Sequence, residues 1–392
     1  MDIKEIIKDL EATIIDYRRD FHKHPELGFE EKRTSKIIAK VLNDLGFEVK
    51  RNVAKTGVVG LLKGVKPGPT IALRADMDAL PIQEKTGLPF ASQEEGKMHA
   101  CGHDGHMSIL LGTAMVLAQI RNKINGNIKF IFQPAEEGPG GAKPMIEENV
   151  LSNPDVDAIF GLHMAHDVDA GKIGVKEGAM FASIDEIDIT IKGNSSHGAR
   201  PHEGKDAVLI AADLVNSLQN IVSREIDPNE AAVITIGKIE GGYRRNVIAD
   251  KVELEGTVRC VNPEVRRILE ERIKNKIKGV SNSYGVEINV DYRNMYPSLI
   301  NDPEKTKLLR TVAVDVLGTE NVEKTKKPTM GGEDFAYFLK EVPGCYFWLG
   351  GRNVNDERTH AYKHNPYFTF DESVLKYGVE ILSRTVIKAS EV

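Results

Sequence analysis

Several features that would narrow the function of this chain are scarce or absent. The 392 residues contain three cysteines, Cys101, Cys260 and Cys345, and such a sparse, odd set does not form a disulfide framework. The net charge of -6 argues against a nucleic-acid-binding surface, which would show a basic excess. No apolar run approaches the roughly 20 residues of a membrane span, and charges stand at the N-terminus where a signal peptide has its apolar core. These absences predict a cytoplasmic protein that binds neither nucleic acid nor membrane.

The length and composition are those of a globular protein with more than one core. A chain of 392 residues exceeds the usual size of a single core, so two domains are expected. Hydrophobic residues make up 41% and charged residues 28% of the chain, which is ordinary for a globular protein. Cys260 and Cys345 lie in or beside apolar runs and are interpreted as core residues. Cys101 differs from them because His103 stands two residues away.

The order of strands and helices predicts a catalytic α/β domain interrupted by an insertion. Strand-like runs alternate with helical patterns, which predicts a mixed sheet flanked by helices. From residue 183 the order becomes β-α-β-β-α-β, the ferredoxin-like arrangement. The predicted domains are therefore residues 1–182 together with 295–392, and an inserted α+β domain at 183–294. Three of the strand-like runs in the first part stand at 70–74, 128–132 and 158–162.

Acidic and imidazole side chains follow these three strand-like runs. Asp76 and Asp78 come after the first run, Glu136 and Glu137 after the second, and His163 after the third. In open α/β sheets, sites form beyond the carboxyl ends of the strands. The pattern therefore predicts one site at this edge, where Asp76 and Asp78 either orient a ligand imidazole or cap a loop.

The densest group of potential ligands is the segment Met98–His106, which holds one thiol, three imidazoles and one carboxylate. Thiolate and imidazole both bind zinc-like ions, so Cys101 and His103 are predicted to be the first pair of metal ligands. His99 and His106 are expected to support the site or to pack near it.

The adjacent acids Glu136 and Glu137 predict a division of roles. One carboxylate binds metal while the other moves protons, because a general base must lie near the activated water without being a ligand itself. His163 and one histidine near the C-terminus would complete the ligand set. Spacing alone leaves His360 and His364 as alternatives for that last position.

Seven segments, spread over nearly the whole chain, match the motifs of a known enzyme family in the order in which that family has them. They are Arg18–Leu27, Arg74–Pro81, Met98–His106, Gln133–Gly138, Gly161–His163, Ser196–His202 and Gly331–Phe335. The chain resembles the dinuclear metallopeptidase and amidohydrolase family that includes aminoacylases and glutamate-releasing carboxypeptidases. Within that family, it is similar to the branch of hippurate hydrolases, N-acetyldiaminopimelate deacetylases and auxin (IAA)-amino acid conjugate hydrolases.

The resemblance implies a dinuclear centre with zinc-peptidase-like architecture. It assigns Glu136 to the general base, and it places Cys101 between two divalent metal ions as a bridging ligand. Zinc is favoured, and manganese, cobalt and nickel are compatible with mixed sulfur, nitrogen and oxygen donors. The ligands that the resemblance implies are Cys101, His103, Glu137, His163 and His364.

The resemblance also implies roles for the inserted domain. His197 falls on a histidine that reaches the active site of the partner subunit and steadies the oxyanion. Asn246 and Arg259 fall on positions that bind the substrate carboxylate. The inserted domain is accordingly expected to be both a lid and a dimer interface, in a homodimer or a dimer of dimers.

The activity that the resemblance implies is metal-dependent hydrolysis of N-acyl-L-amino acids, with acetyl, benzoyl or similar acyl groups. A carboxypeptidase or aminopeptidase acting on short peptides is an alternative with the same metal chemistry. A non-catalytic metal-binding or thiol-redox protein is an alternative of another class. It is disfavoured because the chain has no Cys-x-x-Cys pair and because Glu136 would have no purpose in it. The residues do not specify the acyl group, the side-chain preference or the pathway.

Overall fold

The computed structural model describes residues 2–325 and 327–391. The α-helices within these residues are α1 Ile3–Lys23, α2 Lys32–Asp44, α3 His103–Gln119, α4 Ala142–Glu147, α5 Ala207–Asn220, α6 Pro263–Tyr284, α7 Pro303–Leu317, α8 Ala336–Glu341 and α9 Leu375–Ala389. The first strands are β1 Glu48–Val53, β2 Gly57–Lys63, β3 Lys66–Asp76, β4 Asn125–Gln133, β5 Ala158–Asp169, β6 Ile173–Val175 and β7 Gly178–Phe181. The others are β8 Ser183–Lys192, β9 Ala232–Gly241, β10 Lys251–Cys260, β11 Glu287–Asn294, β12 Leu299–Asn301, β13 Val322–Lys324 and β14 Gly344–Arg352. Among these helices, none combines the length and the apolar character needed to cross a lipid bilayer.

The chain divides into two compact units. The first comprises Met1–Gly178, Asn301–Lys326 and Tyr337–Val392, and the second comprises Ala179–Ile300 and Lys327–Ala336. The second unit thus takes up a segment that the sequence placed in the catalytic part. Backbone hydrogen bonds hold this segment there, because the N–H of Ala182 donates to the carbonyls of Thr329 and Gly331 at 3.0 and 3.1 Å. Such pairing between distant segments is not encoded in local sequence patterns.

The first unit is built on an eight-stranded mixed sheet in the order β1-β2-β4-β3-β5-β14-β6-β13. The four central strands β4, β3, β5 and β14 run parallel. At one edge, β2 pairs antiparallel with β4, and β1 pairs antiparallel with β2. Helix α3 is buried along nearly its whole length and packs against α1 and α9. A helix that is apolar on all sides is expected in such a central position. The predicted mixed sheet flanked by helices is confirmed.

The second unit has the ferredoxin-like order predicted from the sequence. Its antiparallel sheet runs β11-β8-β10-β9, with α5 and α6 as its two helices. Alternate residues of β8 are buried, among them Ile187 and Ile189, which explains the apolar-polar alternation of the sequence. Asn262 caps α6 by accepting the N–H of Glu264 at 2.9 Å, and Pro263 occupies the first helical position.

The groups singled out in the sequence lie at the ends of β3 and β4, within β5 and at the start of α3. Strand β3 ends at Asp76, which pairs with Gln133 at the end of β4. On the other side of β3, His163 of β5 stands opposite Trp348 of β14. Helix α3 begins at His103. The architecture therefore brings together side chains from four distant stretches of chain at one edge of the sheet.

Candidate metal centre

The Cys101 thiol is the common member of two groups of potential ligands. It lies just before α3, where Gly102 adopts a φ of 91° that favours glycine. Its Sγ atom is 3.4 Å from Nε2 of His163. A thiol shared by two ligand groups is the arrangement that a bridging ligand between two ions requires. One group is Cys101 with His103 and His163, and the other is Cys101 with Glu137 and His364. In each group, the donor atoms all lie within 4.8 Å of one another.

His103 directs one ring nitrogen into the cluster. Its Nδ1 donates a hydrogen bond to the backbone carbonyl of Asp78 at 2.8 Å, while Nε2 is buried without a hydrogen-bond partner. Burial opposes protonation of this ring, but the charge of Asp76 outweighs it and raises the pKa of His103 well above its ordinary value. A buried polar atom without a partner is costly. A cation at Nε2, taking the place of the proton, would remove that cost, so this atom fits a metal ligand.

His163 is oriented by its own strand. The sequence placed it just after a strand, but β5 continues to Asp169 and His163 lies within it. Its Nδ1 donates to the carbonyl of Met164 at 2.8 Å, and Nε2 faces Cys101. Burial, and secondly the charge of Lys363, lower the pKa of His163 well below its ordinary value. The ring is therefore neutral at pH 7, which is the form that binds metals.

The structure places His364, rather than His360, beside the other candidate ligands. His364 has a φ of 65°, and its Nε2 is 3.0 Å from Oε1 of Glu137. Hydrogen bonding to Cys101, and then to Glu137, raises the pKa of His364 to about 10. His360 instead donates from Nε2 to the carbonyl of Asn353 at 2.9 Å. Spacing alone left these two histidines equivalent, and the path of the loop separates them.

Glu136 and Glu137 stand in a turn whose backbone is held by Asp78. The two carboxylate oxygens of Asp78 accept the N–H groups of Glu136 and Glu137, each at 2.9 Å. Donor atoms of His103, Glu136 and Glu137 lie within 4.8 Å of one another. Burial opposes ionisation of Glu137, but the hydrogen bond from His364 outweighs it and lowers the pKa of Glu137. Asp78 thus both caps the turn and, through its carbonyl, orients His103.

Asp76 acts on the site through His106 and Arg74. The Nδ1 of His106 donates to Asp76 at 2.6 Å, and its Nε2 accepts the N–H of Met164 at 2.8 Å. Both ring nitrogens of His106 are therefore used within the protein, which leaves none for a metal. Arg74 donates to the other oxygen of Asp76 at 2.7 Å. Burial raises the pKa of Asp76, but the charge of His103 and the neighbouring cations outweigh it and hold that pKa well below its ordinary value.

His99 is a packing residue in this structure. It is buried, and neither ring nitrogen has a hydrogen-bond partner. Burial lowers its pKa to about 3, so the ring is neutral at pH 7. None of the groups of potential ligands found among the described residues contains it.

Three predicted site residues belong to the second unit. His197 is exposed, and its Nδ1 accepts the backbone N–H two residues further on at 3.0 Å. The carbonyl of Asn246 accepts the N–H of Gly198 at 2.9 Å. Arg259 lies in β10 and donates to the carbonyl of Met330 at 3.0 Å. The catalytic and substrate-binding roles of these three residues stay predictions.

A buried network of charged side chains beside α3 is not predicted from the sequence. Arg18 donates to Oδ2 of Asp104 at 2.9 Å, and Nδ1 of His22 is 2.8 Å from the same oxygen. The other ring nitrogen of His22 is 3.1 Å from Glu84. Asp104 follows the candidate ligand His103, so the network anchors the first turn of α3. Charged residues in the segment Arg18–Leu27 were the available signal, but their partners are far away in sequence.

The chemistry of this donor set fits divalent ions. It consists of one thiol, three imidazoles and one carboxylate, a mixture of sulfur, nitrogen and oxygen that zinc-like ions accept. The additional carboxylate of Glu136 stands beside these donors and is buried. Two overlapping ligand groups with an adjacent acid, at the edge of a sheet flanked by helices, define the class of dinuclear metallohydrolases.

Comparison with known proteins gives the family. Residues 72–388 match the model of peptidase family M20/M25/M40, and the chain belongs to this family. It is similar to an N-acetyldiaminopimelate deacetylase of Geobacillus sp. (strain WCH70), with 45% identity over 372 residues that cover 95% of this chain and 96% of the relative. It is also similar to thermostable carboxypeptidase 1 of Saccharolobus solfataricus, with 39% identity over 396 residues, 99% of this chain and 98% of the relative.

A solved structure agrees with this assignment. The YXEP protein of Bacillus subtilis, described as a dinuclear metal-binding peptidase of the M20 family, has a TM-score of 0.86 to this chain. The two chains are 37% identical, and the match covers 98% of this chain and 99% of that one. The protein is therefore a metal-dependent hydrolase that acts on amide bonds.

Proposed function

We propose that the enzyme hydrolyses the amide bond of N-acyl-L-amino acids, with acetyl, benzoyl or similar acyl groups, to a carboxylate and a free amino acid. The observation that carries the proposal is the Cys101 thiol, shared by two ligand groups beside Glu136. The similarity to a deacetylase of N-acetyldiaminopimelate supports an N-acyl amino acid as the class of substrate.

Five side chains of the first unit would hold two divalent ions. When bound, the ions would polarise the acyl carbonyl and lower the pKa of the attacking water. Zinc is favoured because the donors are thiolate, imidazole and carboxylate, and manganese, cobalt and nickel remain compatible. The proposed ligands are Cys101, His103, Glu137, His163 and His364.

Glu136 is the proposed general base and acid. Its carboxylate accepts a proton from the attacking water as the new carbon–oxygen bond forms at the acyl carbon. It then gives that proton to the nitrogen of the amino acid as the carbon–nitrogen bond breaks. Glu136 and Glu137 have adjacent N–H groups bound to one carboxylate, so their side chains leave the turn from a fixed backbone. This arrangement lets one acid bind metal while its neighbour moves protons.

The second unit would supply substrate contacts. We propose that His197 of a second copy of the chain stabilises the oxyanion, and that Asn246 and Arg259 bind the α-carboxylate of the amino acid. The family resemblance supports these assignments, together with a homodimer or dimer of dimers. The second unit would act as lid and as dimer interface. The cytoplasmic location inferred from the sequence stays a prediction.

A second candidate activity is cleavage of short peptides by a carboxypeptidase. The 39% identity to thermostable carboxypeptidase 1 of Saccharolobus solfataricus favours it. The metal chemistry and the role of Glu136 would be unchanged. The two candidates differ only in whether the acyl group is a small acid or the remainder of a peptide.

A substrate panel with controlled metal content tests the proposal. The chain is stripped with a chelator, zinc, manganese, cobalt or nickel is added back, and amine release is measured. The panel comprises N-acetyl-methionine, N-benzoyl-methionine and an N-blocked dipeptide. We expect the stripped protein to be inactive and the acyl amino acids to show the higher kcat/KM after metal is returned. A preference for the blocked dipeptide would favour the peptidase, and full activity without metal would contradict both candidates.

A mixing experiment tests the contribution of a partner subunit. Glu136→Gln and His197→Ala would each inactivate the enzyme. If His197 acts in the partner's site, a mixed dimer has one site with both residues intact. Random exchange of subunits then restores roughly a quarter of the wild-type activity. No recovery after exchange, with mixed dimers demonstrated by differential tagging, would contradict this role of His197.

A further inference from the structure

Glu31 is a buried carboxylate in an unexpected position. It is the N-cap residue of α2, where a side chain usually accepts N–H groups of its own helix. In this helix the carboxylate of Glu26 does so instead, accepting the N–H groups of Arg33 and Thr34 at 3.0 and 2.9 Å. The side chain of Glu31 makes no capping hydrogen bond, although it is fully buried. Its carboxylate is thereby available for contacts outside the helix.

Those contacts lead to the acidic turn of the candidate metal centre. Oε1 of Glu31 accepts the N–H of Ala135 at 3.0 Å, and Oε2 accepts the hydroxyl of Thr56 at 2.5 Å. Burial raises the pKa of Glu31 to about 7, while the hydrogen bond from Thr56 opposes the rise. A buried carboxylate is costly, so the donors that hydrogen-bond to it determine where it can lie. The carboxylate thus connects the start of α2 to the residue that precedes Glu136.

Ala135 needs such support because of its backbone conformation. Its φ of 53° lies in the left-handed region, which costs an alanine free energy unless the surroundings hold it. Asp78 holds the next two N–H groups, those of Glu136 and Glu137. Three consecutive N–H groups are therefore bound by buried carboxylates that come from two distant parts of the chain. Asp78 also contacts the candidate ligand His103 through its carbonyl, whereas Glu31 belongs to none of the groups of potential metal ligands in the described part of the chain.

We propose that Glu31 is a positioning residue for catalysis. By holding the N–H of Ala135, it keeps the turn in the conformation that directs Glu136 towards the scissile bond. Glu31 does not itself touch substrate or metal. The inference rests on the proposed function, because it presupposes that Glu136 is the proton carrier.

Three substitutions separate positioning from simple stabilisation. We expect Glu31→Ala to lower kcat by about 10²-fold, since small displacements of a catalytic group have effects of this size, with KM and metal content nearly unchanged. Glu31→Gln keeps an acceptor for the N–H of Ala135 and should stay within about threefold of wild type. Glu26→Ala removes the cap of the same helix and is the matched control. It should lower the melting temperature while leaving kcat within about threefold of wild type.

Clear outcomes would overturn the inference. A kcat for Glu31→Ala no lower than that of Glu26→Ala would reduce Glu31 to a structural residue. If Glu31→Ala does not fold, Glu31→Asp decides, because it retains the charge but withdraws the acceptor. An unchanged kcat in Glu31→Asp would then contradict positioning, and a reduced kcat with unchanged KM would support it. The kcat of Glu136→Gln is measured alongside. If Glu136→Gln is fully active, the proposed function is wrong. If Glu136→Gln is inactive but Glu31→Ala has a wild-type kcat, only the inference about Glu31 is wrong.

Discussion

The two units of the chain treat charged side chains differently. In the first unit, Arg18, Arg74, Asp76 and Asp104 are at most 2% exposed and lie in or beside the candidate metal centre. In the second unit most ion pairs are on the surface, as between Arg293 and three acidic neighbours. The second unit buries mainly aliphatic side chains, which come from its sheet and its helices. Its exceptions include Asp185, a buried carboxylate that Arg266 and Tyr292 bind, and the buried acids Glu333 and Asp334.

This difference indicates where the chemistry is. Burying a charge costs several kcal/mol, and a hydrophobic pair of similar volume would often be as stable. A concentration of buried charges is therefore better explained by a site that needs fixed polar groups than by stability. The second unit buries fewer charged side chains among its described residues, and the proposed roles of His197, Asn246 and Arg259 rest on the family resemblance.

The largest expected effect is at the acid beside the candidate ligands. Glu136→Gln keeps the shape of the side chain but removes the proton acceptor, so kcat should fall on the order of 10³-fold. Metal content measured by elemental analysis should stay at the wild-type value. Glu95→Gln, the same change at an exposed acid of the first unit, is the matched control and should be fully active. A Glu136→Gln enzyme with near wild-type turnover would contradict the conclusion that the chemistry depends on the buried acid of the first unit.

The next largest effect is expected in the buried network beside α3. Asp104→Asn leaves the buried guanidinium of Arg18 without its closest counter-charge, and the free energy of unfolding should fall by about 3 kcal/mol. Chemical denaturation at pH 7 measures this loss. A loss below about 0.5 kcal/mol would show that the network is no more important than a surface pair.

The same network predicts how stability depends on pH. Burial opposes ionisation of Asp104, but the charge of Arg18 and the bond to His22 hold its pKa below the ordinary value of 3.8. Its contribution is therefore present above pH 3.8 and is lost as the pH falls through the lowered pKa. Unfolding measured across this acid range should show the difference between wild type and Asp104→Asn shrinking towards zero. A difference that stays constant on acidification would contradict the assignment.

The smallest effect is expected at the surface of the second unit. Arg293 pairs with Glu186 at 3.0 Å and with Asp188 at 2.8 Å, and these hydrogen-bonded acids raise its pKa. Water and salt screen these contacts, so Arg293→Ala should lower the free energy of unfolding by less than about 1 kcal/mol. The loss should shrink further at 1 M salt. A loss as large as that of Asp104→Asn would break the contrast between the units.

Much of the fold could be predicted from periodicity and strand ends. The strand-like runs at 70–74 and 128–132 lie in β3 and β4, and the ferredoxin-like order of the second unit is as expected. Strand β14 is not predicted from the sequence, although Cys345, which lies in that strand, is interpreted as a core residue. It lies between β5 and β6, and pairing between strands so far apart in sequence has no local signature.

The candidate site shows the same limit. Chemical type and position after strands singled out Cys101 and Glu136, but only the folded chain shows how buried side chains support them. Glu31 contacts a residue 104 positions away, and Arg18 contacts one 86 positions away. Neither contact follows from spacing, because the path of the chain between the partners decides whether they meet.

The most direct test of the account is the metal stoichiometry of single cysteine variants, measured by elemental analysis after dialysis. The wild-type chain should hold two divalent ions, and Cys101→Ala should lose most of its metal, because the thiol is common to both ligand groups. Cys345→Ala, which removes another buried thiol, should keep both ions. Two ions retained in Cys101→Ala would contradict a dinuclear centre built on this thiol.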